Sequence, residues 1–479
     1  MFAPLFRAGN LPLALLALEL LALAILAILV WKFPRAMLTP RELLALSLLL
    51  IIPLLYLIPL PAAVGHLLPG RELYRVSLSL LDLDGFPMRL SIVPLETQAA
   101  FLALLLPVAV FLGTRSLDAN RIFTLVLLLI GIAAGEAILG LMQFGAGKES
   151  GLYLGMDFTH FGSAVGTYTN RNHLAGLLEM VLPVTLGLFF YSMGREDHER
   201  TRSWRRRVSF FSSMQGHQAF IYAALALLLL VGAIFTRSRT GVALVMLGVL
   251  LVTFGFARRI GGDNVYGAAG TVVAFALGIG VVIGLAPVLD RFSELDPMED
   301  LRWTMFSATI DGIGAFFPLG SGPGSYADVF PAFQSVELGP WFVNYAHNDY
   351  LQWLFEGGLL AALLILFLLG LYFFQWGKIW TRDIWSKFRF VQIGAGIGLF
   401  LMLLHSLVDY NLHMPANMVY FAFLAGVFFS DADADSAVAK RRRRQRRTPD
   451  LVVDPPQTNA DSVPPSGPHP EQIPNPLLD

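Results

Sequence analysis

The sequence contains no cysteine. This excludes a disulfide framework and any metal site built on thiolates. Charge is scarce as well. Only 14% of the 479 residues are Asp, Glu, Lys or Arg, against about 25% in an ordinary soluble domain. Neither sign dominates: 34 basic residues face 35 acidic ones, for a formal net charge of −1. The global charge therefore gives no sign of a nucleic-acid partner. The chain is instead 55% hydrophobic, with a mean hydropathy of +0.62. A water-soluble core cannot hold that excess, so the sequence reads as a membrane protein.

A membrane-crossing helix needs about 20 mostly apolar residues. The stretches that qualify are 11–31, 41–60, 97–113, 122–143, 173–193, 217–236, 240–256, 266–289, 351–374, 388–409 and 415–430. The third and last are short. The expected fold is an all-α membrane protein with about 11 transmembrane helices (10–12) and one large loop on the outer, periplasmic side. The first stretch lacks a basic n-region and a small-residue cleavage site. It reads as an anchor, not a removed signal peptide.

Loop charges orient the spans, because Lys and Arg accumulate on the cytoplasmic side. The tail holds a basic block from Lys440 to Arg447 and is placed inside. Alternating backwards, 24 of the 34 basic residues fall on that side. The N-terminus comes out on the other side, with Arg7, Arg71, Arg75, Arg89, Lys148, Arg171, Arg237, Arg239, Arg291 and Arg302. Residues 1–430 form the polytopic domain. Residues 431–479 form a basic, Pro-rich cytoplasmic tail that cannot bury a core and reads as disordered. Its basic block reads as a topology anchor that meets anionic lipid.

Three outer segments are long enough to carry function: 61–96, 144–172 and 290–350. In the first, an alternating run from Leu73 to Leu80, Asp84-Gly85, and a second run from Met88 to Val93 read as a small surface hairpin. The last holds an acidic stretch from Asp290 to Asp300, a helical piece from Leu301 to Ile313, and a Gly-rich turn from Leu319 to Ser325. It ends at His347, Asn348 and Asp349. A loop of that length in a compact protein is more often functional than idle.

Several residues there can carry chemistry. Arg237 and Arg239 sit in one tight outer turn, where positive charge runs against the usual bias. They fit an anionic substrate, or snorkelling to lipid phosphate. Arg302, beside Trp303, fits a structural ion pair or cation–π contact. His347 precedes two good N-cap residues at the mouth of a span. Its imidazole, titrating near about 6.5 when unperturbed, suits a general base. Glu356 is either a buried partner for an arginine or faces the loop. His405 and Asp409 share a helix face at i and i+4, and read as a hydrogen-bonded polar pair more readily than as metal ligands with His413.

These residues stand in a pattern. Gly-Thr-Tyr-Thr-Asn-Arg-Asn-His-Leu-Ala-Gly at 166–176 is followed by Thr-Arg-Ser-Arg-Thr-Gly at 236–241. Leu-Arg-Trp at 301–303 precedes Pro-Leu-Gly-Ser-Gly-Pro-Gly-Ser-Tyr at 318–326. Ala-His-Asn-Asp-Tyr-Leu-Gln at 346–352 precedes Glu-Gly-Gly at 356–358. Leu-Ser-Ile-Val-Pro at 90–94, with Thr97, also belongs to the pattern. Over about residues 90–430 the chain resembles the O-antigen ligase/polymerase superfamily, polytopic enzymes that use undecaprenyl-pyrophosphate-linked glycans.

The resemblance implies an architecture like that of the C-type membrane glycosyltransferases. It implies an inverting transfer at the periplasmic face of the inner membrane without metal or other cofactor. It gives His347 the catalytic role. Arg239 and Arg302 hold pyrophosphate; Arg237, in the same outer turn, and Arg171, in the matched stretch at 166–176, are further substrate-binding candidates. The implied partners are the undecaprenyl-pyrophosphate-linked glycan donor, a glycan or lipid A-core acceptor, the bilayer, and a chain-length regulator; no nucleic acid is implied. O-antigen or exopolysaccharide polymerisation and ligation to lipopolysaccharide core share this chemistry. Protein O-glycosylation is a third enzyme reading. A glycan transporter or flippase is the rival from another class. It calls for broken helices, mid-membrane polar residues and repeat symmetry, none of which the sequence displays.

Overall fold

The computed structural model describes residues 3, 5–32, 38–65, 67–83, 87–147, 150–153, 162–168, 170–193, 213–260, 297–381 and 385–431. The principal helices are α1 (Pro12–Lys32), α2 (Pro40–Tyr56), α3 (Glu72–Leu80), α4 (Pro94–Arg115), α5 (Ala119–Ala146) and α6 (Arg171–Met193). They continue as α7 (Met214–Phe235), α8 (Arg239–Ile260), α9 (Pro297–Phe316), α10 (Asp349–Trp380), α11 (Lys387–His405) and α12 (Pro415–Phe428). Among the described residues, eight helices are long and apolar enough to cross a membrane: α1, α4 to α8, α10 and α11. The described residues are thus mostly helical, as in a multi-pass membrane protein. The helices α2 and α12, of 17 and 14 residues, coincide with two further expected spans. The expected span at 266–289 and the tail from 432 lie outside the described residues.

Short polar residues set where the helices begin. Thr39 accepts from the Glu42 N–H while Glu42 accepts from the Thr39 N–H, a capping box ahead of Pro40. Asp118, Ser213, Asn348 and Ser386 cap α5, α7, α10 and α11 in the same sense. The most enclosed helix is α6, mostly apolar and buried along nearly its whole length. It packs on α7, α8 and α11. Glycines bring its backbone against that of α11: a Cβ at Gly394 would stand 2.7 Å from the Pro183 carbonyl oxygen, and one at Gly187 2.7 Å from that of Phe390. Small residues at such contacts let dispersion act at short range, which is what holds helices together where lipid removes the hydrophobic drive.

Two expectations need correction. The run from Glu72 to Leu80 is the helix α3, not a strand. Its alternating pattern also places Glu72 and Arg75 one turn apart, where they form an ion pair. The strand pairing among the described residues is a two-residue antiparallel ribbon, β1 (Pro59–Leu60) with β2 (Met88–Arg89). The turn at 84–86 lies outside the described residues. The second correction is a broken helix. Gly358, with φ +52°, interrupts α10. The loop before it fills the break: Gly322 N–H donates to the Glu356 carbonyl at 2.8 Å, and Leu359 N–H to the Pro318 carbonyl at 2.8 Å. A side chain at Gly358 would collide with the Pro318 carbonyl, so sterics as well as φ demand glycine there.

These contacts gather at one end of the bundle. Tyr56, at the end of α2, donates to the Gly357 carbonyl at 3.1 Å, and Ile92 N–H donates to the Ser321 carbonyl at 2.9 Å. Ala164 N–H reaches the last residue of α7, and Asp349 N–H reaches Ser406 just past α11. The starts of α6, α8 and α10 and the end of α11 therefore share that end.

Candidate functional site

Asp409 stands at the centre of this end and is fully buried. It follows α11, which stops at His405 and gives way to a turn. Its carboxylate collects groups from four parts of the chain. The Asn172 side-chain amide donates to Oδ2 at 2.6 Å, and the Tyr410 N–H donates to Oδ1 at 2.9 Å. Arg302 places one guanidinium nitrogen 3.7 Å from Oδ2 and donates with another to the Val408 carbonyl at 3.0 Å. His347 brings Nδ1 to 3.4 Å from Oδ1, a close approach without the alignment of a formed hydrogen bond. Burial alone would raise the Asp409 carboxyl. The interaction with His347, the Arg302 charge and His173 outweigh it and hold the group well below the usual carboxylate range.

His347 owes its position to unusual backbone. Its φ is +51°, in the left-handed region that costs a non-glycine residue about 1 kcal/mol or more. The surroundings impose it. Ala346 N–H donates to the Gln352 side chain at 3.0 Å, and the Asn348 side-chain amide donates to the Leu407 carbonyl at 2.7 Å. The His347 ring stands edge-on to Tyr410, with centroids 4.7 Å apart. Tyr410 stacks on Tyr345 at 4.3 Å and meets His173 edge-on at 4.8 Å.

The sequence-predicted residues divide into two groups. Arg302 and His347 come together on Asp409. Arg171 opens α6, next to Asn172, and Arg239 opens α8. The first turns of those helices touch, since a Cβ at Gly241 would lie 2.5 Å from that of Ala175. Arg237, with φ +58°, donates to the Gly162 carbonyl at 3.4 Å. Three arginines thus stand on neighbouring turns at this end, placed there by the starts of two helices. All five predicted residues are partly exposed, in contrast to Asp409.

His405 and Asp409 do not form the expected pair. The helix ends between them, and His405 Nδ1 instead lies 2.9 Å from Glu179, buried in α6. Glu356 faces the loop, the second of its two expected settings. It accepts the N–H groups of Gly324 at 2.9 Å and Tyr326 at 3.2 Å, and so holds the Gly-rich turn. Sequence reasoning missed Asp409 and Asn172 as site residues. Both stand in stretches that drew notice, but they are 237 residues apart, and nothing in either stretch points to the other.

An apolar groove of about 280 Å³ leads away from this end. Asp349, Ser406 and Leu412 line one end of it, and Glu42, at the opposite end of α2 from Tyr56, lines it as well. Between them Tyr350, Trp353, Leu403 and Phe421 form its walls. Most of its lining belongs to α2, α4, α10, α11 and α12.

Residues 224–366 match the family model described as O-antigen ligase. The match supports the resemblance to the O-antigen ligase/polymerase superfamily over those residues. It spans Arg237, Arg239, Arg302 and His347 and stops short of Asp409. No curated protein matches the sequence.

Proposed function

We propose that the protein transfers or polymerises a glycan carried on polyprenyl pyrophosphate, at the periplasmic face of the inner membrane. The observation that carries this reading is the convergence of His347 and Arg302 on one buried carboxylate. The family match supports glycan transfer as the reaction class. The excess of basic residues on the tail side supports a periplasmic site.

The chemistry is a single displacement. The acceptor hydroxyl oxygen attacks the anomeric carbon. The bond from that carbon to the pyrophosphate oxygen breaks, and its electron pair leaves with the pyrophosphate. The hydroxyl proton passes to His347 at Nε2, because Nδ1 is turned to Asp409. Asp409 orients the ring and stabilises the imidazolium, as an acid does for a histidine base elsewhere. Arg302 and Arg239, helped by Arg237 and Arg171, meet the charge that grows on the leaving group. Attack opposite the leaving group inverts the anomeric centre. With arginines in that role the reaction runs without a metal. The groove beside Tyr350 and Trp353 takes the polyprenyl tail. A transporter reading finds a broken helix in α10, but the break is bridged by the loop at 318–322, and transport leaves the Asp409 cluster unexplained.

The test is turnover by the purified protein in nanodiscs, with EDTA present, on a polyprenyl-pyrophosphate glycan from its own host. Release of polyprenyl pyrophosphate and glycan size are followed for wild type and His347→Ala. Wild-type turnover lost in the variant is expected, and product size separates polymerase from ligase. Equal turnover by both proteins would sink the assignment of His347.

A further inference from the structure

The pair formed by His347 and Asp409 has a counterpart that the proposed mechanism does not use. His347 lies at the entrance to α10 and faces Asp409 on the turn after α11. His413 lies on that same turn and faces Asp349 in the first turn of α10, Nδ1 to Oδ1 at 2.6 Å. The two segments exchange a histidine for an aspartate. Between the second pair and the first stands Gln352. Its side-chain oxygen accepts the Ala346 N–H at 3.0 Å, and its amide nitrogen lies 3.1 Å from His413 Nε2 and 3.4 Å from Glu356 Oε1. Gln352 is buried, and Ala346 is completely so.

Hydrogen-bond polarity fixes this chain of contacts. A backbone N–H can only donate, so Ala346 holds the Gln352 oxygen. The Gln352 NH2 must then face His413 and Glu356, and it too can only donate. His413 therefore presents a lone pair at Nε2 and carries its proton at Nδ1, toward Asp349. We infer that Gln352 is a positioning residue that ties the protonation state of His413 to the strained backbone carrying His347. The inference rests on His347 as the catalytic base. When His413 takes a second proton, Nε2 becomes a donor. Gln352 can satisfy it only by turning its oxygen away from Ala346. That leaves a buried N–H without an acceptor beside a residue held at φ +51°. Support for the His347 geometry is then lost.

The groups facing His413 are the carboxylates of Asp349 and Glu356 from α10, and the Tyr345 ring at 5.3 Å from the segment before it. Burial disfavours the second proton on His413. The Asp349 hydrogen bond and charge, and the Glu356 charge, more than offset it and raise the affinity. Activity should thus have an acid limb set by His413, lying above the ordinary imidazole value of about 6.5.

The experiment measures donor turnover from about pH 5.5 to about pH 9 in wild type, His347→Ala, His413→Asn and Gln352→Met. Thermal unfolding in detergent accompanies each profile. The His413→Asn side chain does not titrate and can still donate to Asp349. That variant should keep the wild-type alkaline rate and hold it further into acid. Gln352→Met preserves volume but supports neither Ala346 nor His413. It should lower the rate about tenfold at every pH and remove the His413 limb. A His413→Asn profile that superposes on wild type overturns the inference, as does a Gln352→Met protein with wild-type rate and profile. If His413→Asn does not fold, Gln352→Met decides alone. Full activity in His347→Ala is a different failure: it removes the base assignment whatever the other profiles show.

Discussion

Asn172 donates its side-chain amide to Asp409 at 2.6 Å, which joins the first turn of α6 to the turn after α11. Asp409 has no exposure to water, so each of its four partners replaces a solvent contact. Asn172→Leu removes one donor and leaves the rest crowded around an under-satisfied carboxylate. The expected cost is about 1–3 kcal/mol, seen as a lower melting temperature in detergent. Asp409→Asn keeps the shape and removes the charge that orients His347 and Arg302. Turnover should fall about a hundredfold or more, with donor affinity changed less, as for the carboxylate partner of other histidine bases. Unchanged turnover in Asp409→Asn would show that the carboxylate is only structural.

Two titrations of opposite sign should be visible in stability. The Asp409 carboxyl is held below its ordinary value in the folded protein. Its contribution is therefore complete above the unfolded value of about 3.9 and is lost as pH falls through the lower, folded value. His413 is raised. Its contribution is complete below the unfolded value of about 6.5 and is lost as pH rises through the higher, folded value. Melting temperature against pH should decline on the alkaline side in wild type and be flatter there in His413→Asn. A wild-type protein with no alkaline decline would count against a raised proton affinity at His413.

Arginine at position 302 should not be replaceable by lysine. One nitrogen of the fork donates to the Val408 carbonyl and another faces Asp409. An ammonium can supply a charge but not two donors held in a plane. Arg302→Lys should express and fold near normally, bind the donor at least about tenfold more weakly, and recover little turnover at saturating donor. Wild-type kinetics in this variant would remove Arg302 from the substrate-binding set.

How much of this was legible in the sequence depends on range. Ten of the eleven expected spans coincide with helices, because hydropathy is a local property that a lipid environment enforces. The Asn348 cap on α10 was readable for the same reason. The run from Leu73 to Leu80 misled because its pattern satisfies both a period of two and an i, i+3 pairing, and only the surroundings decide between them. The break at Gly358 needed a distant partner, the segment at 318–322, to satisfy its freed backbone groups. His405 and Asp409 looked like one helix face because the end of α11 carries no glycine or proline to announce it. The arginines and His347 were found by being out of place for their chemistry. Asp409 was not, since an acid beside a span end looks ordinary until its partners are known.

The groove gives a last expectation that separates tail binding from chemistry. Asp349 and Ser406 line it, next to the residues that hold His347, and its walls are apolar. A polyprenyl tail seated there would contribute affinity in proportion to the apolar area it buries, at about 25 cal/mol per Å². Filling the groove should therefore weaken long-tailed donors and spare short ones. Ala422→Trp, on the α12 wall, adds bulk without touching the Asp409 cluster. It should raise KM for a full-length polyprenyl donor by about tenfold or more, while leaving KM for a donor with a very short prenyl tail near that of wild type. Equal KM changes for the two donors would mean that the substitution acts through the fold. No change for either would place the tail elsewhere on the bundle.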